Sequence, residues 1–258
     1  MEPCRLSFQP PFDVRRLFGF LGPRALPGIE EIDRRVYRRP REGVELRVDE
    51  RSVTVIGPAS DVLDRSRSLL DLDADTATIE RVLGGDRLLA PLVARQPGLR
   101  VPGAFDGFEV AVRAVLGQQV SIAGATTLAG RLIGAFGGFP SPAALADSDL
   151  EGVGLTRARA SALRALGRAV AEGDVRLQPG ADSAALLELP GIGPWTAAYV
   201  GMRSLRDPDA IPLSDLGLRR ALERLGADAR PAAVATRAEG WRPYRAYAAM
   251  HLWASLFE

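Results

Sequence analysis

LPGIGPWTAAYVGMRSLRDPDAIPLSD, residues 189–215, is the stretch that decides the fold. Leu189, Pro190, Gly191, Ile192 and Gly193 separate two helix-like runs, residues 183–188 and 194–203. Pro194 suits the first helical turn, because its ring presets φ and the N–H it lacks would have no intrahelical partner there. The pattern predicts a tight helix–hairpin–helix over about residues 183–204. Its two glycines permit conformations and close approaches that a Cβ obstructs, and the second helix turns its unpaired N-terminal N–H groups toward any anion. A nucleic-acid phosphate fits there without base readout. Asp215 follows Ser214 at the start of another helical run, residues 215–225, and taken alone it reads as an N-cap.

Working outward, residues 42–48 and 51–57 alternate enough to form a hairpin around Asp49 and Glu50, and residues 60–70 read as a helix. From Thr76 onward the pattern is helical, broken by glycine and proline. Helices are predicted over residues 108–118, 155–172, 183–188, 194–203, 215–225 and 243–257, and Ser121 caps another that runs to about Phe136. Gly152-Val153-Gly154 echoes the hairpin weakly and reads as an ordinary turn. Trp195 and Tyr199 lie four apart and share a helix face, by default a core face. The apolar stripe of the last helix runs through Trp241, Tyr244, Ala248 and Leu252, which leaves Trp253 about a quarter-turn away and able to look into a cleft.

Composition excludes more than it proves. The 258 residues can bury a sizeable core, and 47% hydrophobic with 25% charged residues is ordinary for a soluble globular protein. No apolar run is long enough for a bilayer and no signal-peptide pattern opens the chain, so the expectation is a cytoplasmic protein with no membrane partner. A single cysteine, Cys4, excludes an internal disulfide and a four-cysteine iron–sulfur ligand set. One histidine and one cysteine make no zinc pattern, and His251 reads as structural. Net charge is +1, without the basic excess that announces nucleic acid by itself. All 33 basic residues are arginines, suited to bidentate phosphate contacts, although a GC-rich coding bias explains most of them equally well.

The hairpin with its following aspartate resembles the helix–hairpin–helix DNA glycosylase superfamily. Three further blocks are similar to its 3-methyladenine DNA glycosylase II (AlkA-type) branch: FQPPFDVRRLFGFLGPRAL (8–26), PGLRVPGAFDGFEVAVRAVLGQQVSIAGA (97–125) and WRPYRAYAAMHLW (241–253). The resemblance implies a mostly α fold with an N-terminal antiparallel α+β domain over residues 1–72. Residues 73–258 would then form two helical lobes around a cleft. It implies a monomer that acts on double-stranded DNA containing damaged bases, flipping out an alkylated base and hydrolysing its N-glycosidic bond.

The same resemblance assigns roles. Asp215 falls on the catalytic aspartate, whose carboxylate stabilises positive charge developing on the deoxyribose and can orient or deprotonate water. Trp195, Tyr199 and Trp253 match aromatic residues of the base pocket, where π-faces attract a cationic base. Gln118 is placed beside them, as is Leu216, which replaces an aromatic residue of some relatives. Gly191, Gly193 and Thr196 would bind phosphate through backbone N–H groups. Gln119 falls on the gap-filling position, where several relatives carry an apolar side chain; a solvent-exposed helix end is the competing reading. Carbonyls of Leu187, Leu189 and Gly191 could hold a Na+ or K+ ion, and no redox or organic cofactor is implied. Bifunctional relatives use a lysine at about the place of Trp195 to form a Schiff base, and this chain has no lysine, so no lyase activity is expected. Alternatives are excision of oxidised or deaminated bases, or a non-catalytic DNA-binding module in which Asp215 is only a cap.

Overall fold

The computed structural model describes residues 3–58 and 60–257. Its N-terminal part is a five-stranded antiparallel sheet, β1 (Cys4–Ser7), β2 (Glu31–Asp33), β3 (Val36–Arg39), β4 (Val44–Val48) and β5 (Ser52–Ile56), in the order β1-β5-β4-β3-β2. The predicted hairpin is β4–β5: Val48 pairs with Val53, and the Asp49 N–H closes the turn on the Ser52 carbonyl at 2.9 Å. Alternation buries Val44, Leu46 and Val48 on one strand and Val53 and Val55 on the other. Helices α1 (Val14–Leu21) and α2 (Val62–Leu70) add their apolar faces to this core. Asp13 caps α1 by accepting the Arg16 N–H at 3.0 Å. This cluster extends to Leu72 and takes in Phe105.

The helical remainder has two cores. One gathers α5 (Gly107–Leu116), α6 (Ile122–Phe136), α7 (Pro142–Ala146), α8 (Arg157–Glu172), α9 (Ala184–Leu187) and α10 (Pro194–Arg203) around Val112, Leu132, Leu163 and Val200. The other joins α3 (Thr76–Leu83) and α4 (Ala90–Arg95) to the C-terminal α11 (Leu216–Arg224), α12 (Pro231–Glu239) and α13 (Arg245–Ala254), around Leu83, Leu92, Leu222 and Trp241. The second lobe is therefore built from two distant chain segments. Side-chain caps fix helix starts along the chain: Asp106 for α5, Ser121 for α6 and Thr156 for α8.

Several boundaries differ from expectation. Helix α5 ends at Leu116 rather than at Gln118, because Gly117 follows and Gln119 takes a left-handed φ of 55°; Gln118 and Gln119 thus lie in a loop. The last helix starts at Arg245, after the Arg242–Pro243 bond, and gives way to a 3-10 turn at Ser255. Helices α7 and α12 carry patterns too short or too alanine-rich to have been predicted.

Buried polar links hold the parts together. Arg39 of β3 makes a bidentate pair with Glu109 of α5, at 2.8 and 2.5 Å. Asp71 accepts the Tyr247 hydroxyl at 2.9 Å and the Val101 N–H at 3.0 Å, and pairs with Arg206. His251 is buried with Nδ1 3.2 Å from Gln96 Oε1, and burial, with Arg16 nearby, pushes its pKa down to about 4. Among the described residues no helix is long and apolar enough to cross a membrane.

Candidate active site

Asp215 is the N-cap of α11, as its position predicts: Oδ1 accepts the Leu218 N–H at 2.9 Å. The cap is only part of its environment. Trp253 Nε1 donates to Oδ1 at 2.8 Å, and Trp195 Nε1 donates to Oδ2 at 2.9 Å. Helix α10 packs in the first lobe and α13 in the second, so this half-buried carboxylate is gripped from both sides of the cleft. Among the described residues, three N–H donors converge on its two oxygens.

The aromatic residues expected beside it are present, in a different arrangement. Trp195 and Tyr199 stack on each other, 5.3 Å apart with planes 11° from parallel, so each offers only its outer face. Tyr199 and Trp253 are splayed at 54° with centroids 6.4 Å apart, and Phe20 stacks on the Trp253 ring at 6.1 Å. Phe20 comes from α1, so the N-terminal domain contributes to the site. Leu216 stands 56% exposed at the start of α11, next to Asp215 in the chain.

The hairpin carries the geometry predicted for it, with one distinction between its glycines. Gly191 has φ +80°, and a Cβ there would sit 2.8 Å from the Ala162 Cβ, so α8 packs directly on the turn. Gly193 is extended, with φ −95° and ψ 177°, and a Cβ would meet nothing within 4 Å. It is the N-cap of α10 and brings no side-chain cap, and the first backbone bond of that helix is Ala197 N–H to the Gly193 carbonyl. The N–H groups of Gly193, Trp195 and Thr196 are the orphan donors of the helix start, and α10 is long enough for its dipole to reinforce them. Thr196 is itself buried.

Gln118 moves from the expected base pocket to the hairpin. Its Nε2 donates to the Gly191 carbonyl at 2.9 Å and to Thr196 Oγ1 at 3.0 Å, while Arg159 holds the Gln118 carbonyl at 2.6 Å. The α5–α6 loop is thereby tied to the hairpin turn. Gln119 is exposed at the loop tip, and the apolar surface beside it comes from Val120, 40% exposed. At the expected cation cradle the Gly191 carbonyl accepts from Gln118 and that of Leu189 accepts the Ile192 N–H at 3.1 Å, so each keeps one lone pair for an ion.

Four contributors were missed in the sequence. At Gly217 a Cβ would lie 2.9 Å from Asp215 Oδ1 and 3.1 Å from the Trp253 indole, so glycine lets the two meet. Phe20 and Arg24 lie in the quoted block 8–26 without any local sign of their destination. Arg203 is buried, donates to the carbonyls of Pro102 and Gly103 at 2.8 and 2.7 Å, and reaches the Tyr199 hydroxyl at 3.1 Å. Burial alone would raise the Tyr199 pKa; the guanidinium groups of Arg203, Arg24 and Arg113 reverse this and leave it below its ordinary value.

Residues 3–106 match the AlkA N-terminal domain, and residues 112–246 match the HhH-GPD superfamily base excision DNA repair protein family. The chain belongs to the HhH-GPD superfamily. It is 32% identical to DNA-3-methyladenine glycosylase 2 of Escherichia coli over 96% of this chain and 95% of that protein. It is 40% identical, over 98% of its length, to a probable bifunctional transcriptional activator/DNA repair enzyme AlkA of Mycobacterium tuberculosis. The chain spans 56% of that larger relative. The solved structure of the Archaeoglobus fulgidus 3-methyladenine DNA glycosylase shares the fold, with a TM-score of 0.79 at 23% identity, covering 97% of each chain. The antiparallel sheet lies within the AlkA N-terminal match and the helical hairpin within the HhH-GPD match.

Proposed function

We propose that this chain excises alkylated bases from double-stranded DNA as a monofunctional glycosylase of the AlkA type. The observation that carries the reading is the grip of Trp195 and Trp253, from opposite lobes, on the Asp215 carboxylate. A mere cap needs one backbone donor; two indole donors hold this carboxylate at a fixed place beside an aromatic surface. The hairpin N–H groups take a DNA phosphate, and the loop of Gln119 and Val120 enters the gap left by the flipped nucleotide.

The reaction then follows from charge. The C1′–N bond breaks with its electron pair leaving on the base, and the sugar becomes oxocarbenium-like. Asp215 stabilises that charge without reorganising, since its donors already fix it. Water adds to C1′ and gives up a proton to Asp215 or to solvent. A purine methylated at N3 or N7 is already cationic, so it departs neutral without an enzyme acid. The chain has no lysine, and the indole of Trp195 stands where a Schiff-base amine would be needed. The product is an intact abasic site.

A base-release panel tests this. Purified protein is incubated with methylated, oxidised and uracil-containing duplexes, and borohydride is added in parallel. Free methylated base with no trapped covalent complex is the expected result. Release confined to oxidised bases or uracil, or efficient strand cleavage, sinks the proposal.

A further inference from the structure

At one edge of the aromatic cluster the structure gathers cations. Arg24 ends the short 3-10 turn Gly22–Arg24 and lays its guanidinium 3.7 Å from the centroid of Phe20. It interacts with the Tyr199 hydroxyl, Arg203 and Asp215, and burial lowers its pKa. Arg203 stands 5.1 Å from the same Phe20 ring. Nearby carboxylates are taken: Glu30 accepts the Leu26 N–H at 2.9 Å and the Tyr37 hydroxyl at 2.7 Å, and Glu109 is paired with Arg39.

The donors are unequally committed. Arg203 spends Nε, Nη1 and Nη2 on Pro102, Tyr199 and Gly103. Arg113 gives Nη2 to Thr126 Oγ1 at 2.8 Å and leaves a buried Nη1 without a partner; Arg24, Arg113 and Arg203 together line a small cavity of about 20 Å³, room for one water. Arg24, half-buried, donates Nη1 to the Phe20 carbonyl at 2.9 Å and also hydrogen-bonds the Tyr199 hydroxyl. A guanidinium carries five N–H donors and no acceptor. Arg24 is thus the half-exposed arginine beside the cluster that keeps donors for a ligand.

We infer that Arg24 reads the edge of the flipped base and favours one presenting a carbonyl there, a 6-oxopurine or 2-oxopyrimidine lesion, over one presenting an amino group. The inference rests on the excision reading above. A carbonyl at C6 accepts the spare N–H groups, whereas an amino group opposes donor to donor and leaves the guanidinium unpaired. Charge does not confuse the comparison: 7-methylguanine and 3-methyladenine are both cationic, so repulsion by the arginines cancels in their ratio.

Methylated duplex DNA carries both lesions in one tube, which makes the ratio of their single-turnover release rates an internal measure. Arg24→Met should lower 7-methylguanine release at least tenfold relative to 3-methyladenine, and hypoxanthine release from a separate duplex should fall in parallel. Arg24→Gln, which offers both a donor and an acceptor, should narrow the same ratio and serves if Arg24→Met melts below the assay temperature. Wild type that releases methylated bases, with the ratio unchanged in either folded variant, overturns this inference alone. Wild type that releases no methylated base overturns the excision reading and this inference with it.

Discussion

Trp253 Nε1 lies 2.8 Å from Asp215 Oδ1, joining side chains 38 residues apart across α13 and the start of α11. The same oxygen caps α11, so two structural bonds and the proposed chemistry converge on one atom. Asp215→Asn separates them. Asparagine caps helices about as well as aspartate, but its NH2 opposes the Trp195 N–H, so the folded variant should lose about 1–3 kcal/mol of stability, while the charge that balances the developing sugar cation is gone. Base release should slow roughly a hundredfold or more, with duplex binding largely unchanged. Near-normal turnover by the folded variant, measured beside a binding titration, would reduce Asp215 to a cap.

The indoles have two separable duties, an N–H for the carboxylate and a π-face for the base. Trp253→Phe keeps a face and removes the N–H; release of all substrates should fall about tenfold, the scale of one charge-assisted hydrogen bond. Trp253→Ala also removes the face, a further loss on the order of 0.5–2 kcal/mol for a cation. Cationic 7-methylguanine should then suffer more than neutral hypoxanthine. Equal losses for both bases at unchanged melting temperature would mean that the ring merely shapes the site.

Gly217 tests how tightly the carboxylate must be held. A methyl there would crowd Asp215 Oδ1 at 2.9 Å and the indole of Trp253 at 3.1 Å. Alanine is the better helix residue by up to about 1 kcal/mol, so Gly217→Ala should melt no lower than wild type. Release should nevertheless slow severalfold as the carboxylate is displaced by tenths of an ångström. An unchanged rate would show that the site tolerates movement of Asp215.

What the sequence disclosed and what it hid divide along range. Pro194, the hairpin glycines and the caps Ser121 and Asp215 act within four residues of themselves, so their patterns could be read directly. Trp253 was legible because it stood off the apolar stripe of its own helix. Phe20, Arg24 and Gly217 act on groups that only tertiary packing brings near, and nothing local marks them. Gln118 was misplaced for a related reason: its amide could turn to the base or to the hairpin, and the contact with Gly191 is decided by how α5 packs on α10. Strands β1 to β3 are three or four residues long, too short for alternation to accumulate.

His251 links stability to pH. Its pKa is about 4 when folded against 6.5 for the free side chain, so the unfolded chain binds the extra proton between those values. The neutral buried form therefore contributes stability that is present above pH 6.5 and lost as pH falls toward 4. The full effect is on the order of 3 kcal/mol, at 1.36 kcal/mol per pKa unit. Urea midpoints of wild type should drop across this window, and those of His251→Gln should drop less. Parallel curves would remove the histidine from the acid response.

The hairpin glycines should fail in different ways. Gly191 needs its left-handed φ of +80° and the space against Ala162, so Gly191→Ala meets both backbone strain and overpacking. Together these cost about 2–4 kcal/mol, and the melting temperature should fall by many degrees, with DNA affinity following. Gly193 is extended and its missing Cβ faces open space, so Gly193→Ala should lose only the N-cap preference of glycine over alanine, about 1 kcal/mol. That open space is where a phosphate must approach the orphan N–H groups of α10. Duplex affinity of Gly193→Ala should therefore fall severalfold for damaged and undamaged DNA alike, since the backbone contact carries no base readout. Full affinity in a folded Gly193→Ala variant would place the phosphate elsewhere on the protein.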